Sequence, residues 1–446
     1  MMATERQMHL GVFVLGTGNH SAGWRYEGAA TSNNDLSVIQ EIGRIAERGR
    51  FDLLFVSDGL VMDPGDHPSF LCRFEPTTLI SVLSAATTHI GLGATVSTSF
   101  SEPYNVARIF ASIDHISGGR AAWNVVTSSQ PKSALNFSRD KHMEHELRYE
   151  VANEFVDVVR GLWDCWEDGA IVADKESGQY IDAAKVRPLD HHGRFFRVKG
   201  PINMARSPQG HPVIIQAGGS PSGLELAART ADVVFSVVQE LSSARAAYAD
   251  LKGRMAKYGR TPDQLAVLPG VMPIIGNTEA EAKEKLSRLQ GWLTPTNALV
   301  LVSGRIGYDV TGYKLDGPVP APPPGETGSQ TFHKVLFEAA RQQNMTLRDL
   351  YNLTAAARGH WVVCGTPARI ADTLEEWFVE GAADGFNILP PYFPGGFADF
   401  VDLVVPELQR RGLFRREYQG TTLRDHFGLA RVPAPVRRGE PVSAAQ

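Results

Sequence analysis

The sequence predicts an α/β protein folded as a (β/α)8 TIM-like barrel with long insertions, and three observations predict it. Short apolar runs alternate with amphipathic stretches from end to end, the pattern of parallel strands joined by crossover helices. The apolar runs are near-uniformly hydrophobic rather than alternating, as strands covered on both faces must be. They number about eight, whereas an open doubly wound sheet usually stops at about five to seven strands, so the count favours a closed ring.

Taken in order, HLGVFVL (9–15) is the first strand, and 35–48 is a helix with Leu36, Ile39, Ile42 and Ile45 on one face and Gly49 to end it. FDLLFVSD (51–58) is the second strand, followed by a helix over 75–89 and a third strand, IGLGATVSTS (90–99). A helix over 103–116 opens on a proline, which suits the first turn, and RAAWNVVTS (120–128) is the fourth strand. A long helix at 144–166 repeats Leu147, Val151, Phe155, Val158 and Leu162 every three or four residues. PVIIQAGG (212–219), DVVFSVV (232–238), AVLPGVMPIIG (266–276) and GFNILPP (385–391) complete the eight. Two stretches escape the repeat, 170–211 and 294–360; the second holds the stiff GPVPAPPPGETG (317–328) and a helical-looking 332–358. Long excursions in compact domains are usually functional lids or disordered. The 446 residues therefore divide into one decorated barrel domain over 1–430, with insertions at about 170–211 and 294–360, and a flexible tail over 431–446.

Composition excludes several classes. Hydrophobic residues at 43% and charged residues at 21% supply a large core and rule out disorder. Forty-four Lys and Arg against 49 Asp and Glu give −5, with no basic block to hold a phosphate backbone, so nucleic acid is excluded as a partner. The apolar stretch 10–15 is too short for a signal sequence and no run approaches the ~18 residues of a membrane span, so a cytoplasmic protein is expected. Cys72, Cys165 and Cys364 lie far apart, form neither a disulfide framework nor a metal knuckle, and are expected to be packing residues.

In a barrel the ligand sits where the strands end, and several strand-end residues are polar: Asp58, Thr95, Ser97, Asn124 beside Trp123, and Ser220. Each needs a partner, either neighbouring loop backbone or a polar ligand ring. QAGGSPSG (216–223) is a glycine-rich turn between a strand and a helix, a place where backbone N–H groups and the helix dipole hold an anion. HMEHELRYE (142–150) offers His142 and His145 either as metal ligands or as a solvated helix start. Gly16-Thr17-Gly18 lacks the third glycine and the following helix of a dinucleotide fingerprint.

Several segments together resemble the bacterial luciferase-like flavin monooxygenases, in the branch of nitrilotriacetate monooxygenase component A and dibenzothiophene-sulfone monooxygenase. They are FDLLFVSDGL, HIGLGATVSTSFSEPYNVARIFASIDHISGGRAAWNVVTS, EHELRYEVANEF, RSPQGHPVIIQAG, GAADGFNILPP and EYQGTTLRDHFGL, in order along nearly the whole chain. The resemblance implies an FMN site at the strand ends, with Asp58, Thr95 and Asn124 along the ring and ribityl chain. His145, Tyr149, Gly219 and Ser220 would hold the phosphate. It implies that FMN arrives reduced, as FMNH2, from a separate NAD(P)H:flavin reductase. Together with O2 it would oxygenate a small organic substrate through a flavin C4a-(hydro)peroxide. No protein nucleophile or metal is required, and no catalytic acid is assigned. The resemblance further implies a homodimer. His20, Trp24, Tyr26 and Phe100 either line the substrate pocket or pack the barrel mouth. A substrate of nitrilotriacetate, sulfone or aromatic type is expected; because 294–328 offers only Arg305 and Lys314 as cations, its composition points to a neutral or aromatic compound. Two other classes are a metal-dependent TIM-barrel hydrolase using His142 and His145, and a non-catalytic flavin-binding protein.

Overall fold

The structure, a computed structural model, describes residues 6–434 apart from 65, 322, 324–335, 338–339 and 342. Nine parallel strands form one sheet: β1 (His9–Val14), β2 (Leu53–Val56), β3 (Gly91–Ser97), β4 (Ala121–Val126), β5 (Val213–Gln216), β6 (Val233–Ser236), β7 (Ala266–Ile275), β8 (Trp361–Gly365) and β9 (Gly385–Ile388). All but β8 pair in a closed ring, β1 to β7 in order and then β9 back to β1. The expected eight-stranded barrel is present.

The ninth strand was not foreseen in the sequence, where 294–360 reads as an excursion leading to the strand at 385. WVVCG is only five residues long, and its place is set by β7. That ten-residue strand pairs with β6 over its first four residues, from Ala266 opposite Val233 to Pro269 opposite Ser236. It pairs with β8 higher up, from Val271 opposite Trp361 to Ile275 opposite Gly365. Val271 is also opposite Ile388 of β9, so β8 occupies the side of β7 that β6 has left.

The helices between strands are α1 (Leu36–Arg48), α2 (Pro76–Ala86), α3 (Pro103–Ser117), α4 (His145–Trp163), α5 (Pro221–Thr230), α6 (Leu241–Arg254) and α7 (Glu279–Gly291). In the second excursion come α8 (Pro295–Ile306) and α9 (Leu347–Ala357), and α10 (Pro367–Val379) precedes β9. Their starts obey local rules: Asp35 accepts from the Ser37 N–H, and α2, α3, α5 and α10 carry proline in the first turn. Gly118, at φ 68°, ends α3 in the left-handed region. Alternate strand residues split between two cores. Leu10, Leu54, Leu92 and Trp123 face the helices, while Phe13, Leu53, Phe55, Ala122, Ile215, Val233, Phe235 and Leu268 fill the lumen. Phe55 lies edge-on to Phe13 at 5.0 Å and to Phe235 at 4.7 Å, giving the upper lumen an aromatic floor.

The foot of the barrel, where the strands begin, is sealed by the segment after residue 413. Leu423 reaches up to Gly91 so closely that a Cβ there would be 2.2 Å from its side chain. Arg424 donates to Asp232 Oδ2 at 2.9 Å and to the His211 carbonyl at 3.0 Å. The fully buried Asp52 accepts from Arg415 and from the Leu10 N–H at 2.8 Å, with His9 Nδ1 at 3.1 Å.

The first insertion does not lie over the mouth. It leaves the foot end of α4 and runs along that helix's outer flank. Glu154 accepts from the Phe195 and Phe196 N–H groups, Arg194 pairs with Glu150 at 2.6 Å, and Arg206 pairs with Asp164. Helices in a barrel run opposite to the strands, so a segment that leaves the end of a helix emerges away from the strand ends. In the second excursion α8 and α9 pack on each other through Leu299, Val302, Ile306, Leu347, Leu350 and Tyr351. Of the helical stretch expected at 332–358, α9 covers 347–357, and 324–335 lies outside the described residues. Arg358 ends α9 at φ 55° and turns the chain toward β8. Cys165 is buried as expected for packing, but Cys72 is exposed. Among the described residues no helix is long and apolar enough to cross a membrane.

Candidate functional site

The mouth is built from the strand ends. Thr95 and Asn124 stand at paired positions of β3 and β4, facing the lumen above Gly93 and Ala122. Asn124 Nδ2 donates to Thr95 Oγ1 at 2.9 Å, and that hydroxyl donates to the Val56 carbonyl at 3.0 Å. Asn124 Oδ1 is buried and accepts from nothing among the described residues. Asp58, just past β2, accepts from the Gly59 N–H at 2.8 Å, and its Oδ1 lies 3.8 Å from Arg73 Nη2. Burial pushes its carboxyl above the ordinary range, outweighing the Gly59 N–H and the Arg73 charge.

His20, in the loop after β1, is buried. Its Nδ1 accepts from the Ala22 N–H at 3.0 Å, so the neutral ring carries its proton on Nε2, which has no acceptor among the described residues. Burial depresses its pKa to about 3, keeping the ring neutral. The other pocket candidates are arranged differently. Tyr26 stacks on Tyr392 at 4.2 Å, Phe100 stacks on Phe137 at 4.6 Å with His142 at 5.0 Å, and Trp24 is 42% exposed.

The glycine-rich turn after β5 is shaped by its neighbours. Gln216 Oε1 accepts from the Gly218 N–H at 2.6 Å, and Ser220 Oγ accepts from the Gly223 N–H at 3.2 Å, capping α5. A Cβ at Gly218 or Gly223 would stand 3.0 Å from the Tyr149 hydroxyl, so α4 and this turn approach as closely as glycine permits. The Gly219 and Ser220 N–H groups have no acceptor among the described residues. His145 lies 5.0 Å from Tyr149, ring to ring. The structure thus brings His145, Tyr149, Gly219 and Ser220 around one helix start.

Four participants were not singled out in the sequence. Glu146 accepts from Ser222 Oγ at 2.7 Å, with its other oxygen 2.9 Å from His145 Nδ1, and so leans a carboxylate onto the start of α5. Phe70, Arg73 and Arg358 form a second group, with the guanidinium of Arg73 5.2 Å and that of Arg358 5.5 Å from the Phe70 ring centre. No local pattern marks these residues, because the loops bearing them meet only in the folded chain. The two arginines come from outside 294–328, the stretch on which the substrate expectation was drawn, and the side chain of Arg305 lies outside the described residues.

His142 Nε2 lies 2.6 Å from the Ser128 carbonyl while His145 engages Glu146, so the two imidazoles face different partners. Among the described residues no group of three His, Cys, Asp or Glu is placed to hold a metal. The mouth suits a flavin mononucleotide better. It offers an unpaired acceptor, an unpaired donor and an aromatic floor for a polar ring, and free backbone N–H groups beside a tyrosine hydroxyl for a phosphate.

A profile of the luciferase-like monooxygenases matches residues 8–385. N-acetyl-S-(2-succino)cysteine monooxygenase of Bacillus subtilis (strain 168) is 48% identical over 441 residues, covering 98% of this chain and 99% of its own. Nitrilotriacetate monooxygenase component A of Aminobacter aminovorans is 48% identical, covering 98% of this chain and all of its own. Among solved structures, EDTA monooxygenase from Chelativorans sp. BNC1 superposes with a TM-score of 0.80 at 33% identity, over 96% of this chain and 100% of that one.

Proposed function

The chain belongs to the luciferase-like monooxygenase family and is a flavin-dependent monooxygenase, and from that premise we propose that it oxygenates a small organic acid with FMNH2 brought by a separate NAD(P)H:flavin reductase. Reduced flavin supplies the electrons that activate O2. The observation that carries the cofactor reading is the buried, unpaired Asn124 Oδ1, held by Thr95 at the end of the lumen. A buried acceptor left open costs free energy, which a flavin N–H or ribityl hydroxyl would offset by donating to it.

The chain's own residues then have distinct tasks. Tyr149, with the Gly219 and Ser220 N–H groups, binds the phosphate, and His145 stands beside it. Asp58, Thr95 and Asn124 orient the ring and ribityl chain. His20 holds a proton on Nε2 and would offer it as a hydrogen bond to an oxygen that reaches it, its ring staying neutral at any physiological pH. Phe13, Phe55 and Phe235, which fill the lumen, would keep water from the flavin on that side. The acid class of the substrate is supported by the substrates that the two 48%-identical relatives are named for and by the arginines at the mouth.

The test is reconstitution. Full-length protein, FMN, NADH and a flavin reductase are supplied with nitrilotriacetate or N-acetyl-S-(2-succino)cysteine, and oxygen uptake is followed together with substrate loss. Turnover that needs the reductase and FMN, and is indifferent to chelators of trace metal, is the expected result. Turnover without flavin would overturn the reading.

A further inference from the structure

Arg73 is poorly satisfied where it sits. Its side chain is 17% exposed, yet its contacts are long: 3.4 Å to the Ser57 carbonyl, 3.5 Å to Ser57 Oγ and 3.8 Å to Asp58. Good N–H···O bonds of a guanidinium run at about 2.7–3.2 Å. Its nearest acidic neighbour, Asp58, is itself desolvated, with a carboxyl raised above the ordinary range, so that pair is weakly joined, and Asp66 adds a more distant negative charge. A desolvated cation in this state is stabilised by an incoming anion more than an exposed one would be.

Arg358 approaches from the opposite loop. Its Nη2 donates to Asn19 Oδ1 at 2.9 Å and its guanidinium lies 4.6 Å above Phe13, on the aromatic floor itself. Asn19 is fixed in turn by donating to the Phe13 carbonyl at 3.1 Å. Phe70, which both cations face, is held by a knot between its loop and the loop after β1: Ser69 Oγ lies 2.7 Å from Thr17 Oγ1 and donates to the Gly18 carbonyl at 2.5 Å. Two guanidiniums from different loops are thus held on one ring, beside Asp58 and above the lumen.

We propose that Arg73 and Arg358, braced on Phe70, form the substrate's carboxylate-binding pair, with Arg73 as the residue that selects an anionic over a neutral substrate. The proposal rests on the flavin reading above and names its substrate chemistry: a compound with at least two carboxylates, one for each guanidinium. Arg73 binds its carboxylate through two parallel N–H bonds, which a lysine cannot reproduce.

Calorimetric titration of the full chain, with and without oxidised FMN, tests this without turnover. The probes are N-acetyl-S-(2-succino)cysteine, nitrilotriacetate and their fully methylated esters. Wild type is expected to bind at least one acid and to prefer it to its ester about tenfold or more, and Arg73→Gln to lose about tenfold or more on the acid while leaving the ester unchanged. Arg73→Lys should recover only part, and FMN affinity should be equal in all three proteins, which shows that the variants fold. Equal binding of acid and ester by wild type, binding of neither acid, or an Arg73→Gln loss that falls equally on acid and ester, overturns the proposal. Failure to bind FMN would instead sink the flavin reading, and the titration without FMN would still decide the carboxylate selectivity.

Discussion

The two ends of this barrel are made from the same strands and treat their buried charged groups differently. At the foot, buried carboxylates meet partners from the protein: Asp232 has Arg424 and the Ile214 N–H, and Asp52 has Arg415, His9 and the Leu10 N–H. At the mouth, Asn124 Oδ1 and His20 Nε2 have none among the described residues, and Arg73 has only distant ones. Buried polar groups in folded proteins are paired as a rule. The foot also holds an imidazole unpaired among the described residues, His426, but its buried carboxylates are closed by protein cations, whereas the mouth leaves an amide oxygen and a guanidinium for a ligand to complete.

The largest break in that contrast comes from the foot. Arg424→Ala takes from the buried Asp232 the cation that hydrogen-bonds it, leaving only the more distant Arg160 and Arg260, and should cost about 3 kcal/mol, read as a lowered denaturant midpoint, with FMN affinity of the folded fraction unchanged. A variant of wild-type stability would show that the foot is not held by this pair. Next is Ser220→Asp, which sets a negative charge at the start of α5: FMN binding, measured by fluorescence quenching, should weaken about tenfold or more while the melting temperature holds. Unaltered FMN affinity would move the phosphate elsewhere. Asn124→Leu should cost a few-fold to about tenfold in FMN affinity yet leave the free protein about as stable, since the loss of the bond from Nδ2 to Thr95 is offset by removal of a buried unpaired acceptor. Loss of stability would instead mean that the Thr95–Asn124 pair is structural.

The smallest effect is the response to mild acid, to which both ends contribute. Burial holds His20 at about 3 and His426 at about 4, against ~6.5 in the unfolded chain. The unfolded state therefore takes up protons first, and stability declines as pH falls below about 6.5 and goes on declining to the folded values. Burial alone would raise Asp52, but Arg415 and His9 bring it below the ordinary range, so its contribution is present above ~3.9 and is lost only on further acidification. Melting temperatures between pH 7 and 5 check this, and a flatter slope in His426→Gln isolates the foot's share.

Legibility in the sequence divides in the same way, between local and distant. The eight ring strands carry their own signal, because a strand covered on both faces is apolar whichever neighbour it meets. The turn from Gln216 to Gly223 is likewise legible, since its glycines, serine and proline act within one short segment. β8 is not, being a short run whose strand character comes from the free upper edge of β7. Arg73 and Arg358 are equally silent, because nothing near either residue in the chain announces a shared phenylalanine. The flanking course of 170–211 is dictated by where α4 ends, a fact of topology rather than composition.

The split pairing of β7 has a consequence for how such a protein can diversify. Between β6 and β8 the wall has no strand ladder among the described residues and is bridged by Gln239, whose side-chain amide donates to the Gly359 carbonyl at 2.5 Å. The chain that enters this seam is the excursion carrying α8, α9 and Arg358, while the hydrogen-bonded ring closes without it. The excursion can therefore differ in length without disturbing the ring, whose strands keep their register through pairings that do not pass through it.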